Sequence, residues 1–265
     1  MHLQFDAHQD YQIEAVNRTL ALFEGQATGN NAFTLGDELI PNVPPDDWPP
    51  LDEDLIANNL KLIQSENDLP TSSTLAVNEG PLLEWVSADN WRYPVFTVEM
   101  ETGTGKTYVY LRTIYELRQR HGFTKFIIVV PSVAIYEGVI ATFKQTRDHF
   151  RALFDNEPVQ LLAYDSGQLS QLRNFAASTT AMILVMTVDA FNKKSNVLYK
   201  ASDKLPGERQ PYQFLQDVRP LLILDEPQNM ESETAKAALR TLQPLCALHY
   251  SATHRDPYNL IYRLT

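Results

Sequence analysis

The 265-residue chain has one cysteine, Cys246, and no long apolar run. A single thiol cannot form an internal disulfide, which fits a reducing compartment. No apolar run approaches the roughly 20 residues that a membrane span needs, and residues 1–6 lack the basic and apolar character of a secretion signal. These absences and the chain length predict a cytoplasmic protein with one large domain or two small ones.

Basic side chains are scarce in one segment, residues 27–93. This segment has twelve acidic residues and two basic ones, so it carries −10 of the net charge of −11. The rest of the chain has 20 basic and 21 acidic residues. We therefore expect the segment to lie away from nucleic acid phosphates, whereas the low isoelectric point does not exclude a DNA partner for the remainder.

The same segment is also rich in proline, with five prolines between positions 41 and 50. It is predicted to be an ordered but irregular insertion, because tryptophans and leucines are available for packing. Apolar residues at helical spacing, after an acidic first turn, predict a helix over residues 51–65. Two short strands, 75–77 and 82–86, are predicted to pair across a turn at 78–80.

Residues 100–107 read Met-Glu-Thr-Gly-Thr-Gly-Lys-Thr and directly follow an apolar, β-branched run at 95–98. This arrangement predicts a phosphate-binding loop between a buried strand and a helix, because glycines let backbone N–H groups approach phosphate oxygens closely. Met100 stands where the usual pattern has glycine or alanine. The alternative is a glycine-rich turn that binds nothing, and the motifs that follow argue against it.

Within this loop, Lys106 is predicted to reach the β- and γ-phosphates of ATP, and the hydroxyl of Thr107 to ligate Mg²⁺. The predicted nucleotide-binding residues of the loop are Thr102, Gly103, Thr104, Gly105, Lys106 and Thr107.

A second motif lies about 120 residues further along, after the apolar run Leu-Leu-Ile-Leu at 221–224. This run predicts a central parallel strand, and it ends in Asp-Glu-Pro-Gln at 225–228. Asp225 is the predicted anchor for Mg²⁺, and Glu226 is the predicted base for the attacking water. A solvated acidic turn is the alternative, but the position after a phosphate loop favours the functional interpretation. The predicted catalytic residues are Lys106, Asp225, Glu226 and Gln228.

Residues 248–253, Leu-His-Tyr-Ser-Ala-Thr, are another short apolar stretch that ends in hydroxyl side chains. Gly-Thr-Gly-Lys-Thr, Asp-Glu-Pro-Gln and Ser-Ala-Thr, in this order, resemble motifs I, II and III of superfamily 2 helicases and translocases. The stretches at 100–102, 130–132 and 186–191 narrow the resemblance to the Res subunit of type III restriction enzymes. It covers nearly the whole chain and is weakest between about 27 and 93.

The resemblance implies a DNA-dependent ATPase that uses ATP and Mg²⁺. It also implies a partnership with double-stranded DNA and with a separate methyltransferase (Mod) subunit, which uses S-adenosylmethionine and recognises the DNA site. The motif III residues, implied to couple hydrolysis to movement, are Ser251, Ala252 and Thr253.

Upstream of the loop, an amphipathic helix is predicted over residues 8–24. Superfamily 2 proteins have a glutamine in this region that contacts adenine, and Gln12 is the matching residue, since an amide can donate and accept at once. A surface glutamine is the alternative. Phe5 is predicted either to stack on the base or to pack within the protein.

Three residues at strand ends, Pro131, Ser132 and Thr187, match positions that hold the nucleic acid backbone in the resembling family. Hydroxyls and helix N-termini suit phosphate contacts that do not depend on base sequence. Helix capping by the two hydroxyls is the alternative, and both roles are compatible.

Strands that alternate with helices at this spacing predict an α/β fold with a parallel sheet and the chemistry at its carboxyl edge. We expect one RecA-like P-loop NTPase domain, with residues 27–93 as an acidic insertion. Because the sequence ends shortly after motif III, we expect the first motor domain of a longer protein, without the second motor domain and the nuclease. A motor for repair or phage defence and a non-catalytic nucleotide-binding module are the alternatives.

Overall fold

The computed structural model describes residues 5–26, 39–43, 51–201, 209–253 and 258–264. The helices are α1 (Asp10–Ala21), α2 (Glu53–Glu66), α3 (Lys106–His121), α4 (Val133–Leu153), α5 (Ser170–Ala177), α6 (Pro211–Asp217) and α7 (Glu233–Thr241). The strands are β1 (Val77–Pro81), β2 (Asn90–Glu99), β3 (Lys125–Val130), β4 (Val159–Ala163), β5 (Ala181–Thr187), β6 (Leu221–Asp225), β7 (Cys246–Ser251) and β8 (Leu260–Arg263).

The strands form one sheet in the order β1-β2-β7-β6-β3-β5-β4, and β8 also pairs with β2. All the pairings are parallel except that of β1 with β2. Helices α1 to α4 contribute to the apolar core on one face, and α5 to α7 contribute to the core on the other. The predicted fold class, an α/β fold with a largely parallel sheet flanked by helices, is confirmed. None of the helices in the described parts of the chain is long and apolar enough to cross a membrane.

The central strands of the sheet are buried, and for this reason they appear in the sequence as apolar runs. Every residue of β3 is buried. The helix after the phosphate loop ends at His121, and Gly122 caps it with a φ of +74°. Glycine adopts this left-handed conformation without a steric penalty, so the helix ends there.

The hairpin predicted within residues 75–86 is wrong. Its predicted turn lies inside β1, which pairs antiparallel with the first half of β2 at the edge of the main sheet. Arg240 of α7 fixes this position, because its guanidinium donates to Asn78 Oδ1 at 2.7 Å and to the carbonyl of Pro81 at 2.9 Å. The segment at 27–93 therefore contributes α2, β1 and the start of β2 to the fold. The prolines at 44, 45, 49 and 50 lie outside the described residues.

Residues 39–43 cross the amino edge of the sheet, and we call them the strap. The amide of Asn42 donates to the carbonyls of Lys125 and Arg219, at 2.8 and 3.1 Å. Its oxygen accepts from the backbone N–H groups of Thr124 and Lys125, at 2.7 and 2.8 Å. One buried side chain thus satisfies the backbone at the start of β3, on the edge opposite the phosphate loop.

Candidate nucleotide-binding site

The phosphate loop connects β2 to α3. Gly103 and Gly105 have φ angles of +87° and +86°, and Gly105 is the residue immediately before the helix. These left-handed conformations turn successive backbone N–H groups around the loop, which is the geometry that suits phosphate oxygens. Met100 is buried in the core, with its N–H donating to the carbonyl of Ser251 at 2.9 Å. The departure from the usual pattern therefore places an apolar side chain beneath the loop.

Lys106 brings the loop together with the second motif. Its ammonium lies 3.1 Å from Oε1 of Glu226 and donates to the carbonyl of Met100 at 3.4 Å. The two paired residues are 120 positions apart in the sequence. They meet because β2 and β6 both pair with β7 in the parallel sheet, so their carboxyl ends lie at one edge.

Asp225 is a nearly buried carboxylate at the end of β6. Its Oδ2 accepts a hydrogen bond from the hydroxyl of Tyr110 at 3.2 Å. Burial raises the pKa of Asp225 to about 6, and the charge of Glu226 adds to this rise, while Tyr110 and Lys106 oppose it. A bound cation would offset the unfavourable burial of this charge.

Glu226 has left-handed backbone geometry, with a φ of +56°, and its N–H donates to the carbonyl of Tyr250 at 2.9 Å. Its Oε2 accepts from the amide of Gln228 at 2.7 Å and from the hydroxyl of Ser251 at 3.0 Å. Burial raises the pKa of Glu226, but the hydrogen bonds that the carboxylate accepts outweigh burial and hold the pKa below its ordinary value. Glu226 is therefore ionised at neutral pH.

Ser251 links the second and third motifs. Its hydroxyl lies 3.0 Å from Oε2 of Glu226, 2.9 Å from Oε1 of Gln228 and 3.0 Å from the carbonyl of Thr253. One hydroxyl has one proton to donate, so these three acceptors compete for it. The next residue, Ala252, has no polar side-chain group, and the N–H of Thr253 donates back to Ser251 at 3.3 Å.

Gln12 of α1 lies against the phosphate loop. Its amide nitrogen donates to the carbonyl of Thr104 at 2.9 Å, and the hydroxyl of Tyr11 donates to the same carbonyl at 3.2 Å. The residue is 7% exposed, so the alternative of a surface glutamine is wrong. Contact with adenine remains a prediction.

Phe5 packs within the protein, as one of its two predicted roles required. Its ring is stacked with that of Tyr108, with centroids 6.2 Å apart and planes at 11°, and it also contacts His149. The hydroxyl of Tyr108 lies 2.8 Å from Nε2 of His149. Stacking of Phe5 on a base remains a prediction.

The family model described as the type III restriction enzyme Res subunit matches residues 7–256. The match covers nearly the whole of the 265 residues. The chain belongs to this family.

Two curated Res subunits show how much of a relative the chain represents. The StyLTI Res subunit of Salmonella typhimurium is 34% identical over 178 residues, which are 60% of this chain and 18% of the relative. The EcoP15I Res subunit of Escherichia coli is 28% identical over 239 residues, which are 81% of this chain and 23% of the relative. The chain thus spans about a fifth of the length of the curated relatives that it matches.

Among solved structures, the UvsW helicase from bacteriophage T4 is similar with a TM-score of 0.40 at 15% identity, over 61% of this chain and 48% of that one. The SWI2/SNF2 ATPase core of Sulfolobus solfataricus, solved with double-stranded DNA, gives 0.39 at 12% identity, over 60% and 28%.

The predicted DNA-contacting residues of this Res-family chain lie together at the carboxyl edge. Val130 at the end of β3 pairs with Thr187 at the end of β5, and Pro131 and Ser132 follow directly. The hydroxyl of Ser132 accepts from the N–H of Ile135 at 3.4 Å and so caps α4, as the alternative had it. Thr187 precedes a short 3₁₀ turn without capping it through its side chain. DNA contact by these residues remains a prediction.

The Res-family site fits a magnesium–nucleotide complex better than a free metal ion. Within the described ranges no group of three or more His, Cys, Asp and Glu side chains could hold a metal ion. Mg²⁺ bound with a nucleotide typically takes one or two protein oxygens and completes its shell with phosphates and water. Thr107 and Asp225 are the residues that would hold it.

Two features of the site were not found by sequence reasoning. Tyr110 was missed, although it follows Lys106 by four residues on α3, a spacing that places two side chains on one face of a helix. The contact of Ser251 with Glu226 was also missed, because it depends on the parallel pairing of β6 with β7, which no local pattern encodes.

Proposed function

We propose that the chain is the ATP-hydrolysing motor domain of a Res subunit, which uses Mg-ATP to move along double-stranded DNA. One observation carries the proposal: the ammonium of Lys106 lies 3.1 Å from the carboxylate of Glu226. This pair joins the phosphate loop to the acidic motif at the carboxyl edge of a parallel sheet, where α/β folds bind their ligands.

Each part of the site has a distinct task in this proposal. The backbone N–H groups around Gly103 and Gly105 receive the phosphates, and Lys106 neutralises their charge. Thr107 and Asp225 hold Mg²⁺, which supplies further charge neutralisation when it is bound.

The ion pair between Lys106 and Glu226 also implies an order for nucleotide binding and proton transfer. A bound triphosphate competes with Glu226 for the same ammonium group. As Lys106 turns to the phosphates, Oε1 of Glu226 becomes available to accept a proton from the attacking water. The lowered pKa of Glu226 keeps the carboxylate in the form that can act as a base.

Motif III would respond to the change at Glu226 through the hydroxyl of Ser251. This hydroxyl can donate to Glu226, to Gln228 or to the carbonyl of Thr253. A change in the charge on Glu226 would shift this one proton among the three acceptors and so link hydrolysis to the backbone after β7.

Two partners belong to the same proposal. Double-stranded DNA would lie over Pro131, Ser132 and Thr187, whose hydroxyls and neighbouring N–H groups suit phosphate contacts. A methyltransferase subunit would supply recognition of the DNA site, since the relatives are Res subunits of restriction-modification enzymes.

The decisive experiment is a calorimetric titration of the chain with ATP and Mg²⁺, for the wild type and for Lys106→Ala. We expect the variant to lose roughly ten-fold or more in affinity, because it lacks the ammonium group that would neutralise the phosphates. Lys61→Ala is the matched control, since Lys61 is an exposed lysine on α2. Equal affinities for wild type and Lys106→Ala would contradict the proposal.

A further inference from the structure

Tyr110 has no role in the function proposed above, yet its hydroxyl points into the centre of the site. The residue lies on α3 and is fully buried. Its ring packs edge-to-face on that of Tyr250, with centroids 5.5 Å apart. The hydroxyl donates to Oδ2 of Asp225 at 3.2 Å, and it is the only side-chain group among the described residues that hydrogen-bonds this carboxylate.

The same hydroxyl is a neutral donor. Burial raises the pKa of Tyr110 well above its ordinary value, and the charge of Asp225 raises it further. The group therefore stays protonated and can donate to the carboxylate of Asp225, one of the two residues that would hold the metal.

We propose that Tyr110 is a positioning residue for Mg²⁺: its hydroxyl holds the carboxylate of Asp225 in the orientation that a magnesium–nucleotide complex requires. This inference rests on the proposed function. Outer residues that hydrogen-bond metal ligands restrict their orientation, and their loss typically lowers metal affinity by about 10- to 100-fold. A buried carboxylate with a single protein hydrogen bond depends strongly on that bond for its orientation.

The test measures the affinity of the 265-residue chain for the non-hydrolysable analogue AMP-PNP by calorimetry, once with Mg²⁺ and once with EDTA. The ratio of the two dissociation constants reports the contribution of the metal and does not involve turnover. Tyr110→Phe removes the hydroxyl and keeps the ring. Tyr250→Phe is the matched control, because it removes a second buried hydroxyl from the same cluster that makes no described bond to Asp225.

We expect the wild type and Tyr250→Phe to bind AMP-PNP more tightly with Mg²⁺ than with EDTA. In Tyr110→Phe we expect this ratio to fall by roughly ten-fold, with the affinity in EDTA unchanged. An unchanged ratio in Tyr110→Phe would overturn the inference and leave the proposed function standing. No gain from Mg²⁺ in the wild type would instead overturn the metal site of the proposed function.

A double-mutant cycle separates positioning from general destabilisation. If Tyr110 acts through Asp225, adding Tyr110→Phe to Asp225→Asn causes no further loss in the ratio. Additive losses would show that Tyr110 acts elsewhere and would overturn the inference. Should Tyr110→Phe fail to fold, Tyr110→Met, which also lacks the hydroxyl, replaces it in the same cycle.

Discussion

Glu226 is the residue on which the phosphate loop, motif II and motif III converge. Its Oε1 pairs with Lys106, and its Oε2 accepts from Gln228 and Ser251. Non-glycine residues rarely adopt its left-handed backbone conformation, which costs on the order of 1 kcal/mol. Strain of this kind persists where the surrounding structure fixes a side chain for use.

The first prediction concerns Glu226→Gln. The variant should bind Mg-ATP at least as tightly as the wild type, because Thr107 and Asp225 are unchanged and a neutral side chain competes less for Lys106. In the full-length motor, single-turnover phosphate release should fall by about 10²- to 10⁴-fold, the usual cost of losing a general base. Glu233→Gln is the control, since Glu233 is exposed at the start of α7. Near-normal hydrolysis by Glu226→Gln would place the base elsewhere.

The second prediction compares the two glycines of the loop. A Cβ on Gly105 would lie 2.6 Å from the amide nitrogen of Gln12, whereas a Cβ on Gly103 would meet nothing within 4 Å. Both have nearly the same positive φ, so Gly→Ala costs about 1 kcal/mol of backbone strain at each. Urea unfolding should show a larger loss for Gly105→Ala, because Gln12 must also give up its bond to Thr104.

Gln12→Ala provides the control for this comparison. In that background the penalty for Gly105→Ala should fall to that of Gly103→Ala, since the clash is gone. If the two glycine variants were equally stable in the wild-type background, the position of Gln12 against the loop would be wrong.

Among the elements, the strap (residues 39–43) stabilises the start of β3 at the amino edge of the sheet. The side chain of Asn42 makes four hydrogen bonds to backbone groups there, two as donor and two as acceptor. The third prediction is that Asn42→Ala lowers the free energy of unfolding by about 2–3 kcal/mol, because buried backbone groups lose their partners. The measurement is urea unfolding, and Asn58→Ala on the exposed side of α2 is the control. A loss below about 0.5 kcal/mol would contradict the role of the strap.

The elements also show what sequence reasoning can and cannot find. The strand β6 was found because it is buried and appears as a continuous apolar run. The edge strand β4 and the short strand β8 were missed, since partly exposed or very short strands leave little signal. The pairing of β1 was misassigned: its partner is the start of β2 and not the segment at 82–86. Arg240, which is distant in the sequence, holds β1 through Asn78, and no local pattern encodes this contact.

The same difference between local and long-range signals applies to the candidate site. The loop, Asp225 and Glu226 could be identified from local patterns, since their chemistry is encoded in consecutive residues. The proton-sharing group at Ser251 and the hydroxyl of Tyr110 could not, because they arise from strand order and from the packing of α3 on the sheet.

For the whole molecule, the fourth prediction is that the 265-residue chain alone hydrolyses ATP slowly and responds little to DNA. In the resembling motors, a second RecA-like domain contributes arginines to the site, and such an arginine is worth about 10³- to 10⁵-fold in related systems. Among the described residues the cation paired with Glu226 is Lys106, and no arginine joins it.

The measurement is steady-state phosphate release with and without duplex DNA. The reference is a longer protein that includes a second RecA-like domain after residue 265, which we expect to be strongly stimulated by DNA. Fast, DNA-stimulated turnover by the short chain would show that it completes its own site, for example by self-association.

The pairing of β2 has a consequence for the order in which the molecule is built during synthesis. The strand that leads into the phosphate loop pairs with β7 and β8, and Glu99 at its end binds Arg263, 164 residues later. Such long-range contacts form late, because a long loop must close first. A growing chain on the ribosome would therefore expose Lys106 and its glycines long before their support exists. We therefore expect the chain to bind a nucleotide only after β7 and β8 have joined β2.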